Sequence, residues 1–172
     1  MNSSQSHKRE SRKIGFHELA PYVRLVQHIE GDDRYRLPPR IIYDYELIYV
    51  VAGHCDYEIE GADYPLAAGD LLFMPPLVRH SCTVPAGEKF HYYAVHFDLA
   101  YMGESFDFSV DEVYTSHDYL HAPYIPDEPE LTDRPVVRLA EVEFPYVFAA
   151  QEPLVCEALL RAMYRVHGSE SY

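Results

Sequence analysis

Gly69-Asp70-Leu71-Leu72-Phe73-Met74-Pro75-Pro76-Leu77-Val78-Arg79-His80 reads as a turn, a short apolar strand, a proline stop and a histidine. Gly-Asp is turn chemistry, and two consecutive prolines cannot continue a strand ladder. The same grammar extends in both directions. Upstream, β-branched and aromatic runs at Tyr22 to Ile29, Ile41 to Val51, Cys55 to Ile59 and Tyr64 to Leu66 are cut by Gly31-Asp32-Asp33, Gly53 and Gly61-Ala62-Asp63. Downstream come a strand near Ser81 to Val84, the turn Pro85-Ala86-Gly87 and a run from Lys89 to Leu99. Short strands so regularly punctuated, with no helical stretches between them, predict an all-β sandwich or barrel rather than a parallel βαβ sheet.

The chain has 172 residues, the size of one domain. Hydrophobic residues make up 48% and charged residues 24%, enough for a core. Fourteen Lys and Arg against 28 Asp and Glu give a formal charge of −14, which repels phosphate backbones and excludes direct nucleic-acid binding by this segment. The apolar run Leu47 to Gly53 is far below the roughly 20 residues that cross a bilayer. Met1 to Lys13 is polar and lacks the apolar segment of a signal peptide, so a cytoplasmic protein is expected. Cys55, Cys82 and Cys156 show no framework spacing and read as free thiols.

Residues 1–20 are rich in Ser, Lys, Arg and His and read as a flexible arm, with Phe16 as its first ordered position. The barrel is expected over 21–148 and a helical segment over 149–172. Between Asp98 and Asp133 stand ten acids and no Lys or Arg, a stretch without a clear pattern. Val136 to Phe144 reads as one more strand. The period then changes: Leu154, Ala158, Ala162 and Val166, with Val155, Leu159 and Met163, form an apolar stripe at helical spacing over Glu152 to His167. Pro153 suits the first helical position, Gly168 the exit, and Glu157 and Arg161 are an i,i+4 pair. Leu160 and Tyr164 lie on a second side, so the helix can pack on the barrel and still offer a face. Leu159 and Met163 are the candidates for a homodimer contact.

Ile41 to Val51 is apolar on both faces except for Asp44 and Glu46, which share a face with Arg40 by alternation. A buried carboxylate needs a base, a donor, a metal or water. Arg40 therefore has two readings, a salt bridge to Asp44 or Glu46, or a contact to a ligand. In Phe90 to Phe97, Phe90, Tyr92, Ala94 and His96 share one face, and His91, Tyr93, Val95 and Phe97 the other.

The 69–80 stretch resembles the second motif of the cupin superfamily, with Leu77 where its second Gly stands and Val84 where its closing Asn stands. Glu46 followed by Gly53 matches the end of the first motif. The His-x-His that precedes that Glu is replaced by Arg40, Ile41 and Ile42, so two of four metal ligands, Glu46 and His80, survive. A mononuclear site needs three or four, and no metal or other cofactor is expected. His80 reads either as a turn histidine or as a pocket residue.

More narrowly, Arg40, Tyr43-Asp44-Tyr45-Glu46-Leu47-Ile48-Tyr49-Val50, Gly53, Tyr64-Pro65-Leu66, Gly69-Asp70, Pro75, His80 and Val95-His96-Phe97-Asp98 resemble the N-terminal sensor half of AraC-type transcriptional regulators. That resemblance implies a cupin-like β-barrel (a double-stranded β-helix or jelly roll) followed by a C-terminal helix. It further implies a small-molecule effector, often a sugar, a homodimer, and DNA contacted only through a helix-turn-helix domain outside this chain. It places Arg40, Glu46, His80, Tyr92 and His96 around the effector, and assigns no catalytic residue. Ala94 departs from the arabinose-binding pattern, which has a large aromatic there; Tyr92, Tyr57 or Phe16 would supply a stacking face instead. The rival reading is a stand-alone metal-dependent cupin enzyme, an isomerase or dioxygenase, using His80, Glu46 and one or both of His91 and His96. A sugar-binding cupin without a regulatory partner is a third. His117-Asp118-Tyr119-Leu120-His121 resembles H-E-x-x-H only superficially, with Asp for Glu and Pro123 close behind. No G-x-S-x-G, C-x-x-C, G-x-G-x-x-G or P-loop occurs.

Overall fold

The computed structural model describes residues 11–110, 113–114 and 129–167. The His117 to His121 stretch lies outside them. In chain order the strands are β1 (Ser11–Ile14), β2 (Tyr22–Asp32), β3 (Arg36–Arg40), β4 (Tyr45–Ile59), β5 (Ala62–Ala67), β6 (Asp70–Met74), β7 (His80–Thr83), β8 (Lys89–Asp98), β9 (Val136–Leu139) and β10 (Val147–Ala149). Two single 3₁₀ turns (Phe16–Glu18 and Glu104–Phe106), a four-residue helical turn, α1 (Pro129–Thr132), and one long helix, α2 (Pro153–His167), complete the described elements. The expected mainly-β architecture with a C-terminal helix is what forms.

β4 belongs to two sheets. Its first half pairs with β6 and β8, giving the order β10-β6-β4-β8-β2, and its second half pairs with β5 and β7, giving β3-β7-β4-β5. A register shift between Val50 and Ala52 inverts the alternation: Ile48 and Val50 face the interior before it, and Cys55, Tyr57 and Ile59 after it. Gly53, expected as a turn between two strands, is a bend within one. Its φ is +82°, and a Cβ there would lie 1.6 Å from the Lys89 carbonyl oxygen. Glycine is the residue that fits.

The interior joins Ile42, Ile48, Val50, Tyr57, Ile59, Leu72, Met74, Phe90, Tyr92 and Ala94. Outside, α2 covers Val26, Tyr49, Tyr93 and Val95 with Leu160, Met163, Tyr164 and Cys156. That outer cover explains why the first half of β4 is apolar on both faces. Leu154, Val155, Leu159 and Val166 remain exposed, so Leu159 sits on the free face while Met163 is half-buried against the barrel.

Several boundaries differ from the sequence expectation. Ile41–Asp44 is a connection rather than strand, and β3 precedes it despite Pro38-Pro39. β3 is an edge strand bonded only to β7, where a missing N–H costs nothing. Ser11–Ile14, placed within the arm, pairs parallel with β9 and buries Ile14 to 1% exposure, while Phe16 is 52% exposed. Strand structure after Val136 ends at Leu139 and resumes only at β10. Leu77, standing in the glycine position of the motif, adopts φ +66° with its N–H donating to the Ile42 carbonyl at 2.7 Å.

Candidate functional site

Cross-strand register assembles the site. Glu46 on β4 lies directly opposite His96 on β8, and Arg40 at the end of β3 lies opposite His80 at the start of β7. Tyr92 shares the inner face of β8 with His96. Arg40, Glu46, His80, Tyr92 and His96 are thus all buried inside the barrel.

Glu46 bridges two cations. Its Oε2 accepts from Arg40 at 3.3 Å, and its Oε1 faces His96 Nε2 at 3.4 Å. The other ring nitrogen of His96 faces Asp44 Oδ1 at 3.1 Å. Burial alone pushes His96 down, but Asp44 and Glu46 outweigh it and lift the imidazolium to about 9. Burial likewise pushes Glu46 up, and His96 and Arg40 reverse this to hold the carboxyl at about 2. His80 goes the other way. Burial and the Arg40 guanidinium hold it down at about 4. Its Nδ1 donates to the Val78 carbonyl at 2.9 Å, which leaves Nε2 to accept from Arg40 Nε at 3.1 Å. The salt-bridge reading of Arg40 is therefore realised toward Glu46, while Asp44 takes other partners.

Aromatic rings wall this cluster. Tyr57 lies over His80 with centroids 6.4 Å apart, Phe90 stacks on Tyr92 at 4.5 Å, and the Tyr35 and Tyr92 hydroxyls are 2.8 Å apart. Burial raises Tyr35 to about 12, so the pair stays neutral. With side-chain exposure of 10% against 4% for Glu46 and 2% for His96, Arg40 is the member of the cluster nearest solvent.

A second polar layer was not read from the sequence. Tyr114 donates to Asp44 at 2.8 Å, Arg24 pairs with Asp98 and Asp107, and Arg134 binds Asp98 at 2.8 Å and the Tyr43 carbonyl at 2.6 Å. The one local sign was Arg134 itself, the first base after the acidic run. A hollow of about 1000 Å³ lies elsewhere, bordered by Tyr45, Phe73, Arg138 and Phe144. Lys13, Glu141 and Glu143 also line it, and it touches none of the predicted effector residues.

The donor set does not suit a metal inside the barrel. His96 presents N–H to a carboxylate on both sides and has no lone pair to give. The Arg40 guanidinium holds the Nε2 of His80 and one oxygen of Glu46, putting a fixed cation where a metal would bind. His91, considered with His96 as a replacement for the absent His-x-His, is on the outer face of β8, so it cannot join them.

Among the described residues no helix is long and apolar enough to cross a membrane. No curated protein matches the chain. Among solved structures it is similar to a Cupin 2 conserved barrel domain protein from Salinispora arenicola CNS-205, at 23% identity over 46% of this chain and 76% of that one, TM-score 0.40. It is also similar to a predicted oxalate decarboxylase from Thermotoga maritima, at 22% identity over 45% and 67%, TM-score 0.41. An RmlC-like cupin family protein with a double-stranded β-helix fold from Methanocaldococcus jannaschii matches at 11% identity over 54% and 93%, TM-score 0.41. Residues 23–128, more than half of the chain, match the family model of the AraC-like ligand binding domain, and the protein belongs to that family.

Proposed function

We propose that this chain is the effector-sensing and dimerisation part of a cytoplasmic AraC-type transcriptional regulator. It binds a small polar metabolite, a sugar or a relative of one, inside the barrel, and it performs no catalysis. The observation that carries this reading is the Arg40, Glu46, His80 and His96 cluster between tyrosine walls. Charged donors and acceptors beside aromatic faces are how proteins read hydroxyl and carboxylate groups. A metal-dependent reaction is disfavoured by the same cluster, because its histidine nitrogens and its arginine leave no cation site.

The mechanism is a population shift. An effector that exchanges hydrogen bonds with Arg40 and His80 repositions β8, whose inner face carries Tyr92 and His96 and whose outer face carries Tyr93 and Val95 under α2. The seating of α2 then alters the homodimer formed along Leu159 and, through it, a helix-turn-helix domain outside this chain. The test is a thermal-shift screen of pentoses, hexoses and sugar acids, followed by calorimetry of Arg40→Ala and His80→Ala. A hit whose affinity falls at least tenfold in both variants supports the pocket. Unaltered affinity in both folded variants overturns it.

A further inference from the structure

The outer face of the barrel carries a second histidine cluster that the effector site does not use. His28 and Glu30 project from β2, and His91 projects from β8. Glu30 is the direct cross-strand partner of His91, and His28 is two residues along the same face, so one sheet presents all three side chains together. The two imidazole Nε2 atoms are 2.5 Å apart, and one ligand atom from each of the three residues falls within 4.8 Å of the others. Among the described residues this is the only group of three His, Cys, Asp or Glu side chains that converges so.

The surroundings hold this cluster in place. His28 stacks on Tyr93 with centroids 4.5 Å apart and meets Tyr164 of α2 at 5.6 Å, so its ring is sandwiched between barrel and helix. Two nitrogens at this separation cannot both carry protons, so at least one already offers a lone pair. The nearby Arg161 guanidinium is held by Glu157 at 2.5 Å. On the open side Glu30 and His91 border a groove of about 400 Å³, which gives an ion and its waters a way in.

We propose that His28, Glu30 and His91 form a surface site for one divalent transition-metal ion of the zinc class, at the seam between the barrel and α2. Two imidazoles and a carboxylate suit zinc, nickel, cobalt or copper, and not calcium or magnesium, which take oxygen ligands. Metal–nitrogen distances near 2.0–2.1 Å in a tetrahedral site need the two nitrogens about 3.3 Å apart, an opening that a small rotation of either ring provides. Water completes the shell. The ion would tie β2 to β8 directly beneath Tyr164, and this site stands whether or not the effector reading does.

The experiment uses the full 172-residue chain with any affinity tag removed, stripped with chelator and titrated with Zn²⁺ by calorimetry and with Co²⁺ by absorption. The expected result is one equivalent of metal, with the visible bands of low-coordinate Co²⁺. Losing an outer-shell partner typically costs 10–100-fold in affinity, so His28→Ala and His91→Ala, which lose a ligand outright, should weaken binding by at least about 100-fold and Glu30→Gln by about tenfold. Where circular dichroism shows an alanine variant unfolded, His28→Gln or His91→Gln replaces it, since glutamine keeps the bulk. Absence of stoichiometric binding at micromolar metal overturns the proposal. So does stoichiometric binding that survives in both histidine variants, which would assign the ion to other donors.

Discussion

Arg40 Nε donates to His80 Nε2 at 3.1 Å, so a permanently charged guanidinium is coupled to a histidine that has to stay neutral at that nitrogen. A few ångströms away His96 has to stay charged, between Asp44 and Glu46. The interior thus contains two histidines of opposite protonation, each fixed by its neighbours.

Opposite histidine states make stability fall in both directions of pH. His96 is raised from 6.5 to about 9, so its contribution is complete below about 6.5 and is lost as pH rises through about 9. His80 is lowered from 6.5 to about 4, so its contribution is complete above about 6.5 and is lost as pH falls through about 4. Glu46, lowered from 4.5 to about 2, adds a further loss below about 4.5. Melting temperature should therefore peak near neutral pH. His96→Gln should flatten the alkaline limb and, because His96 helps hold Glu46 low, shrink the Glu46 part of the acid limb while the His80 part stays; an alkaline limb of full size in that variant would contradict the assignment.

Leu77 pays for a left-handed backbone with φ +66° while its side chain packs on the barrel core. Comparing Leu77→Ala with Leu77→Gly separates the two effects, because both remove the packing and only glycine relieves the backbone. Left-handed geometry costs a non-glycine residue about 1–2 kcal/mol, and the looser unfolded chain of glycine returns about 0.4–1 of it. Leu77→Gly should be the more stable of the two by roughly 0.5–1 kcal/mol. Denaturant melts that rank alanine above glycine would show that the backbone there is relaxed.

Gly53 allows no such choice. A Cβ would collide with backbone, the Lys89 carbonyl, rather than with a side chain that can turn away. Gly53→Ala should cost at least about 3 kcal/mol and lower the Tm by on the order of 10 °C, since each kcal/mol shifts a domain of this size by about 2–4 °C. A differential scanning calorimetry trace within a degree or two of the parent would mean that β4 and β8 can separate locally at no cost.

What the sequence disclosed follows from the range over which each signal acts. Alternation in 90–97 sorts Tyr92 and His96 from His91 and Tyr93 correctly, because a strand's faces are a local property. The apolar period of 153–167 finds α2 for the same reason. Gly53 misled because glycine marks a turn and a bulged strand alike, and only the approach of Lys89 distinguishes them. β1 was hidden in a polar tail because its partner, β9, lies more than a hundred residues away. The ion pairs of Arg24 and Arg134 with Asp98 join positions 74 and 36 residues apart, and no local pattern announces them. Arg40, Glu46 and His80 came from motif resemblance, and the register of β3 on β7 and β4 on β8 is what brings them together.

Neighbouring residues on α2 should behave as opposites. Leu160 is 5% exposed and docks among Tyr49, Tyr93 and Val95, whereas Leu159 is 61% exposed and touches nothing comparable on its own chain. Leu160→Ala empties a packed site and should cost roughly 2–4 kcal/mol, while Leu159→Ala should stay within about 0.5 kcal/mol in the isolated protomer. Leu159→Glu, which leaves the helix seat untouched, should shift sedimentation velocity from dimer to monomer at micromolar concentration. Met163 is half-buried on the barrel, so Met163→Glu should lower the Tm as well as disturb assembly. A dimer that withstands Leu159→Glu would place the subunit contact on another face of the barrel.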